Sequence, residues 1–144
     1  MIRRIKAEDA SAIMEICIES LGHATDEEIL RTQIEKLKDN PSYYIAVYAD
    51  ESSEKAVGFI EAESYSLIYG GDGWNIIALA VKPDFQRKGI GQILLSSLEE
   101  KAEAAGNSFI RLNSRVERNE AHAFYLASGY TCDKTQKRFI KYLK

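Results

Sequence analysis

Between Trp74 and Ala104 the spacing of apolar residues changes period, and that change constrains the fold more than any other feature of the chain. "WNIIALAVKP" is a near-continuous apolar run, which reads as a strand buried on both faces. Pro83 ends it, because proline cannot donate to a sheet ladder. From about Gly89 onward, Ile90, Leu94, Leu95 and Leu98 fall at helical spacing, with Glu99, Glu100 and Lys101 on the outer face. The join is "QRKGIG", Gln86 to Gly91. A buried strand passing directly into an amphipathic helix calls for a sheet covered by helices.

The rest of the chain supplies the other layers. "MIRRIKA" alternates as a short first strand, and "EDASAIMEICIESL" places Ala12, Ile13, Ile16, Cys17 and Leu21 on one helical face, broken by Gly22 and His23. A second helix opens in "TDEEILRTQIEKLKDN", with Thr25 as N-cap, Glu28 completing a capping box, and Asn40-Pro41 closing the element. "SYYIAVYAD" and "AVGFIEAESYSLIYG" read as strands, the second long enough to need a bend or bulge, and "GGDG" (Gly70 to Gly73) is the tightest turn signal. Beyond the central helix come a strand in "SFIRLNSR", a helix in "NEAHAFYLASG" ending on Gly129, and a closing strand in "KRFIKYL", with room for one more short strand around Tyr130 to Asp133. The predicted order is β-α-α-β-β-β-α-β-α-β, an α/β fold with a mixed central sheet flanked by helices. At 144 residues this is one domain, spanning 1–144.

Composition narrows the function. A net charge of −3 argues against a chain that coats nucleic acid, so any phosphate binding must be local. The longest apolar runs are too short to cross a bilayer, and "IRRIKAEDASAI" lacks the apolar core of a signal peptide. Cys17 and Cys132 lie far apart without metal-ligand spacing, so both are expected to be reduced, buried and apolar in a cytoplasmic protein. No metal site is expected.

The "QRKGIG" turn sits at a helix N-terminus, where backbone N–H groups lack partners and about half a positive charge accumulates. Gly89 and Gly91 remove side chains that would keep an anion away, and Arg87 and Lys88 add positive charge at the rim. A P-loop is absent, and Leu94 stands where a dinucleotide fingerprint needs its third glycine. Local residues leave two readings open, an anion seat and a plain strand–helix turn.

At this point the chain resembles the GNAT superfamily of acetyl-CoA-dependent N-acetyltransferases. Gln86-Arg87-Lys88-Gly89-Ile90-Gly91 matches the family signature [QR]-x-x-G-x-[GA] after a buried strand, and "AHAFYLASGY", Ala121 to Tyr130, resembles the family's A-x-x-F-Y-x-x-x-G-[FY] helix. "LAVKPDF" and "IRRIKAEDASAI" resemble the family's strand ending and opening, so the resemblance spans the chain. The tail is similar to small-molecule members, including the aminoalkylphosphonate acetyltransferases. The resemblance implies a mostly antiparallel GNAT-like sheet and acetyl-CoA as cosubstrate. It implies that amides of Arg87, Lys88, Gly89, Ile90 and Gly91, with Gln86 leading in, hold the CoA pyrophosphate. Leu79, Ala80 and Val81 would pair with the pantetheine arm, an N–H of Ala80 or Val81 polarising the thioester. Tyr125 would sit near the sulfur as general acid. Chemically this is coherent: the tetrahedral oxyanion needs prepositioned N–H dipoles, and the departing thiolate needs a proton that a phenol can supply.

Departures from the family pattern mark the open points. Many members carry a glutamate near the position of Ala78 to deprotonate the amine, and alanine cannot do so. Glu61 and Glu63 share one strand face by period-two spacing and are candidate bases, against the reading that both are solvated strand residues. His122 lies one helical turn before Tyr125 and can act as a base or simply pack. Where many relatives place a CoA-contacting asparagine, this chain has Arg118, with Asn119 one residue on as a plausible N-cap. Tyr65, Tyr69 and Trp74 flank the "GGDG" turn and form either an aromatic acceptor wall or hairpin packing. The expected reaction is direct acetyl transfer to a primary amine, of a small molecule in preference to a protein N-terminus or lysine. A non-catalytic acyl-CoA sensor is the rival of another class. Homodimers are common in relatives.

Overall fold

The structure, a computed structural model, describes residues 1–144. The chain divides into two compact units, Met1–Asn113 and Ser114–Lys144. The first runs β1 (Ile2–Arg4), α1 (Ala10–Ile16), α2 (Glu27–Leu37), β2 (Tyr43–Ala49), β3 (Ala56–Ser66), β4 (Asp72–Val81), α3 (Ile90–Ala104) and β5 (Phe109–Leu112). The second contains α4 (Asn119–Ala127). The five strands form one sheet in sequence order, antiparallel except for the parallel β4–β5 pair.

Helices α1 and α2 cover one face of the sheet and α3 the other. On the first face Ala10, Ile13, Ile16, Cys17 and Ile34 pack on Val47, Phe59 and Ala80, which are cross-strand neighbours in a single row. On the second, Leu94, Leu95 and Leu98 are fully buried along with Ile60. Gly58 belongs to this side too, since a Cβ there would already press on Ile90 and Leu94 at 3.3 Å. The helical face predicted for α1 is therefore the buried one, and the helix runs on as a π turn, Cys17–Leu21, before Gly22 stops it at φ 69°.

A bulge divides the β3–β4 pairing. Glu61 pairs with Ala78 and Ala62 with Ile76, so Ile77 is an extra residue on β4. Ala78 and Ala80 consequently face α1 and α2, whereas Ile76 and Trp74 face α3. The bulge also corrects the expectation of a strand buried on both faces, because Ile77 is 46% exposed.

Four further expectations are corrected. The N-cap of α2 is Asp26, whose carboxylate accepts from Glu28 N–H at 2.7 Å; the aspartate one residue nearer the helix does what Thr25 was expected to do. Arg118 is the N-cap of α4 and Asn119 its first helical residue. Cys132 is exposed, unlike buried Cys17, although both are free thiols as expected. No strand forms in Lys137–Leu143 or around Tyr130 to Asp133, because a strand exists only where another edge pairs with it.

Candidate active site

The two edges of β4 are used unequally. On one side β3 pairs with it as far as Val81, but on the other β5 stops at the Ile76–Leu112 pair. From Ala78 to Val81 the second side of β4 is an open edge. Lys82 N–H donates to Val57 O at 2.8 Å. Antiparallel ladders alternate, so Ala80 is the next residue to bond to β3, and Leu79 and Val81 turn their amides toward the open side. Of the two amides expected to polarise a carbonyl, Val81 therefore faces the open edge and Ala80 faces β3. The end of β4 is held in place by its Val81 carbonyl, which accepts from Ser20 Oγ of the π turn at 2.8 Å and from Gln86 Nε2 at 2.9 Å. Gln86 thus has a structural duty that its sequence position did not reveal.

The open edge leads into the glycine turn. Arg87 adopts φ 64° and Gly89 φ 83°, two left-handed residues separated by one, and Ile90 then begins α3. Alternating backbone of this kind folds N–H groups toward a common concavity, and the first-turn amides of α3 have no intrahelical carbonyl to bond. Gln86, Arg87, Lys88 and Gly89 are all exposed, and nothing lies within 4 Å of a Cβ built on Gly89. Lys88 Nζ rests over the Phe85 ring at 5.2 Å, which keeps its charge beside the turn. Buried Ile90 anchors this end of the helix to the sheet, and half-buried Gly91 follows in its first turn.

Glu61 and Glu63 both lie on the α1/α2 face of β3, as period-two spacing predicted, but their surroundings differ. Glu63 Oε2 accepts from Asn75 Nδ2 at 2.7 Å, and Asn75 Oδ1 accepts from Arg111 Nη1 at 2.6 Å. Arg111 lies over the Tyr65 ring at 5.0 Å. Glu61 sits on the row with Ile45 and Ala78, among apolar neighbours, and no hydrogen bond or ion pair engages its carboxylate. Burial, and then the charge of Glu63, push its carboxyl above the ordinary range. The Cys17 thiol is raised in turn by burial and by Glu61, so it stays protonated.

Tyr65, Tyr69 and Trp74, read either as an acceptor wall or as hairpin packing, do not share one face of the sheet. Trp74 is buried on the α3 face, its Nε1–H donating to Asn107 Oδ1 at 2.9 Å with Lys101 over its ring. Tyr65 lies on the other face, edge-on to Phe109. Tyr69 is 86% exposed in the turn itself.

In the second unit Tyr125 occupies the middle of α4, edge-on to Phe124 and to Tyr130 at 5.2 and 5.7 Å. Burial raises its phenol to about 12, against a smaller lowering by Arg118. The phenol therefore stays protonated at physiological pH. His122 Nε2 lies 2.8 Å from Arg115 O, so the imidazole fastens the loop before the helix. Asn119, in the exposed first turn, makes no cap.

An open strand edge thus runs into a left-handed turn at a helix N-terminus, in a mostly antiparallel sheet covered by helices. Comparison with known proteins gives the family. The Acetyltransferase (GNAT) family matches residues 10–130, and the chain belongs to it. It is an acetyl-CoA-dependent acetyltransferase of the GNAT kind, which binds acetyl-CoA and an amine acceptor. Among curated proteins it is similar to an aminoalkylphosphonate N-acetyltransferase of Salmonella typhimurium, 29% identical over 99% of this chain and 90% of that one. Among solved structures its fold is similar to that of a transcriptional regulator from Bacillus halodurans, with TM-score 0.85 at 17% identity over 98% of this chain and 99% of the other. It is also similar in fold to an aminoglycoside 6'-N-acetyltransferase from Acinetobacter haemolyticus, with TM-score 0.81 at 14% identity over 100% and 99%. No helix is long and apolar enough to cross a membrane.

Proposed function

We propose that this enzyme acetylates the primary amine of a small molecule in the cytoplasm, by direct attack on acetyl-CoA within a ternary complex. The observation that carries the reading is the placement of Glu61 directly across from Ala78, on the face and at the level where the open edge of β4 begins. A carboxylate there replaces the one that Ala78 lacks. With its affinity for a proton raised by burial and by Glu63, Glu61 is a better base than a solvated glutamate and attracts the ammonium form of the substrate as well.

Each remaining step falls to a named group. Amides of Arg87, Lys88, Gly89, Ile90 and Gly91 receive the pyrophosphate, and the outward-facing backbone of Leu79 and Val81 receives the pantetheine as an added strand. The Val81 N–H stabilises the developing oxyanion. Glu61 accepts the ammonium proton, directly or through water. The freed amine attacks the thioester carbon to form the C–N bond. As the tetrahedral species collapses, the C–S bond breaks and Tyr125 donates its phenolic proton to the thiolate. The nitrogen gives up its second proton to water, from which the phenolate is reprotonated. The name of the Salmonella relative, an aminoalkylphosphonate acetyltransferase, supports a small-molecule amine.

The test is release of free CoA thiol from acetyl-CoA with a panel of aminoalkylphosphonates, simple alkylamines, aminoglycosides, and lysine- and N-terminal peptides. Saturable turnover with at least one small amine and none with peptides is expected. Turnover confined to peptides would overturn the small-molecule reading.

A further inference from the structure

The core beneath α1 and α2 reaches the row of Ile45, Glu61 and Ala78. The next row on that face of the sheet is Tyr43, Glu63, Asn75 and Arg111, one residue from each of four adjacent strands. None of these belongs to the core, and all are half-buried. The row also borders the open edge of β4, because β5 leaves its partner at Leu112, the residue after Arg111.

Glu63 and Arg111 share this row without cancelling each other. Asn75 stands between them, its Nδ2 donating to Glu63 Oε2 at 2.7 Å and its Oδ1 accepting from Arg111 Nη1 at 2.6 Å. Arg111 Nη2 donates to a second amide oxygen, Asn113 Oδ1, at 2.8 Å. Two neutral oxygens thus hold the guanidinium, which lies 5.0 Å over the Tyr65 ring and enters no ion pair. It stays ionised at any physiological pH and has more N–H donors than these two bonds use. A clamp between β5 and β3 would be served as well by direct pairing with Glu63. Interposing Asn75 leaves the positive charge available to something else.

We propose that Arg111 is a specificity-determining residue that reads an acidic group on the acceptor, so that the substrate is a short-chain amine ending in a carboxylate or phosphonate. This rests on the small-molecule reading above and narrows it. The amine stands at Glu61, one row away, and the oxyanion takes paired N–H contacts from the guanidinium. The backbones of β3 and β5 lie about 10 Å apart across β4. Arg111 leans back over Tyr65 of β3, so a chain of a few carbons spans the two charged ends. The same charge turns away amines whose far end is cationic, which adds repulsion to attraction as a source of selectivity.

The test measures thiol release by the full chain with amines of matched length ending in carboxylate, phosphonate, methyl or ammonium, from β-alanine and aminoethylphosphonate upward. Lysine peptides are run beside them. Acid-ended amines should surpass the plain alkylamines by about a hundredfold or more in kcat/KM, chiefly through KM, with diamines the poorest. The preferred arm identifies the oxyanion. Arg111→Gln should remove the preference through the KM of acid-ended amines and improve turnover of diamines, and Arg111→Lys should restore part of it. Asn113→Asp keeps Arg111 in place but supplies the missing counter-charge, and should reduce the preference about tenfold. Circular dichroism checks the fold of each variant. Equal turnover of acid-ended and plain amines would overturn the inference and leave the small-molecule reading standing. So would equal losses on every amine in Arg111→Gln, or a preference that Asn113→Asp leaves unmoved, either of which makes Arg111 a strand clamp only. Turnover of peptides alone would overturn both readings.

Discussion

Glu61 and Ala78 are direct partners across β3 and β4, and the bulge at Ile77 lies immediately beside them. Glu61 sits there in an apolar setting, and burial and then the charge of Glu63 push its carboxyl above the ordinary range.

Glu61→Gln should lower kcat about a hundredfold or more while changing the KM for acetyl-CoA little, as measured by thiol release. Because its pKa is raised, wild-type activity should rise with pH as Glu61 ionises, above the range of an ordinary glutamate. Glu63→Gln removes the second cause of the shift and should move that rise to lower pH. An unmoved profile in Glu63→Gln would mean that Glu61 is not the group titrating.

Tyr125→Phe should reduce kcat much more than it weakens acetyl-CoA binding, since only the proton is lost. Ultraviolet titration of the wild type should show one phenol ionising near 12 that is missing from the variant. Its effect on stability has a defined sign. The neutral phenol's contribution is intact below the ordinary value near 10 and is lost as pH rises through about 12, so alkaline unfolding should come later in Tyr125→Phe than in wild type.

Gly89→Ala meets open space but must hold φ 83°, so it should cost about 1 kcal/mol in chemical denaturation and leave CoA binding measurable. Gly89→Glu adds a carboxylate where an anion is to bind, and should abolish binding of CoA in calorimetry. Retained binding would place the pyrophosphate elsewhere.

Asp9→Asn tests the entrance to the first helix. Asp9 is 7% exposed and takes two bonds from Arg3, at 2.8 and 2.9 Å, and one from Lys6 N–H at 2.8 Å. Burial pushes its carboxyl up, but the Arg3 bonds, the Lys6 amide and both charges outweigh it and hold it below the ordinary value. Its contribution is present above the unfolded carboxylate range and is lost as pH falls through the lower folded value. Asp9→Asn should therefore cost about 3 kcal/mol at neutral pH and less in acid, read by urea denaturation.

What the sequence determined by itself was whatever depends on neighbours a few residues away. The buried faces of α1 and α3, the glycine turn at the head of α3 and the left-handed stops at Gly22 and Gly129 all follow from periodicity and local backbone preference. With the family motifs they sufficed to identify acetyl-CoA as cosubstrate. Only tertiary structure decided what depends on strand pairing. One extra residue, Ile77, sends Trp74 to the face opposite Tyr65, because slipping a strand by one residue exchanges its faces. The parity of the β3–β4 ladder turns Val81 rather than Ala80 to the open edge, and the same register brings Glu61 opposite Ala78. Lys137–Leu143, a strand by composition, forms none within the chain, because half of every strand's hydrogen bonds belong to its partner.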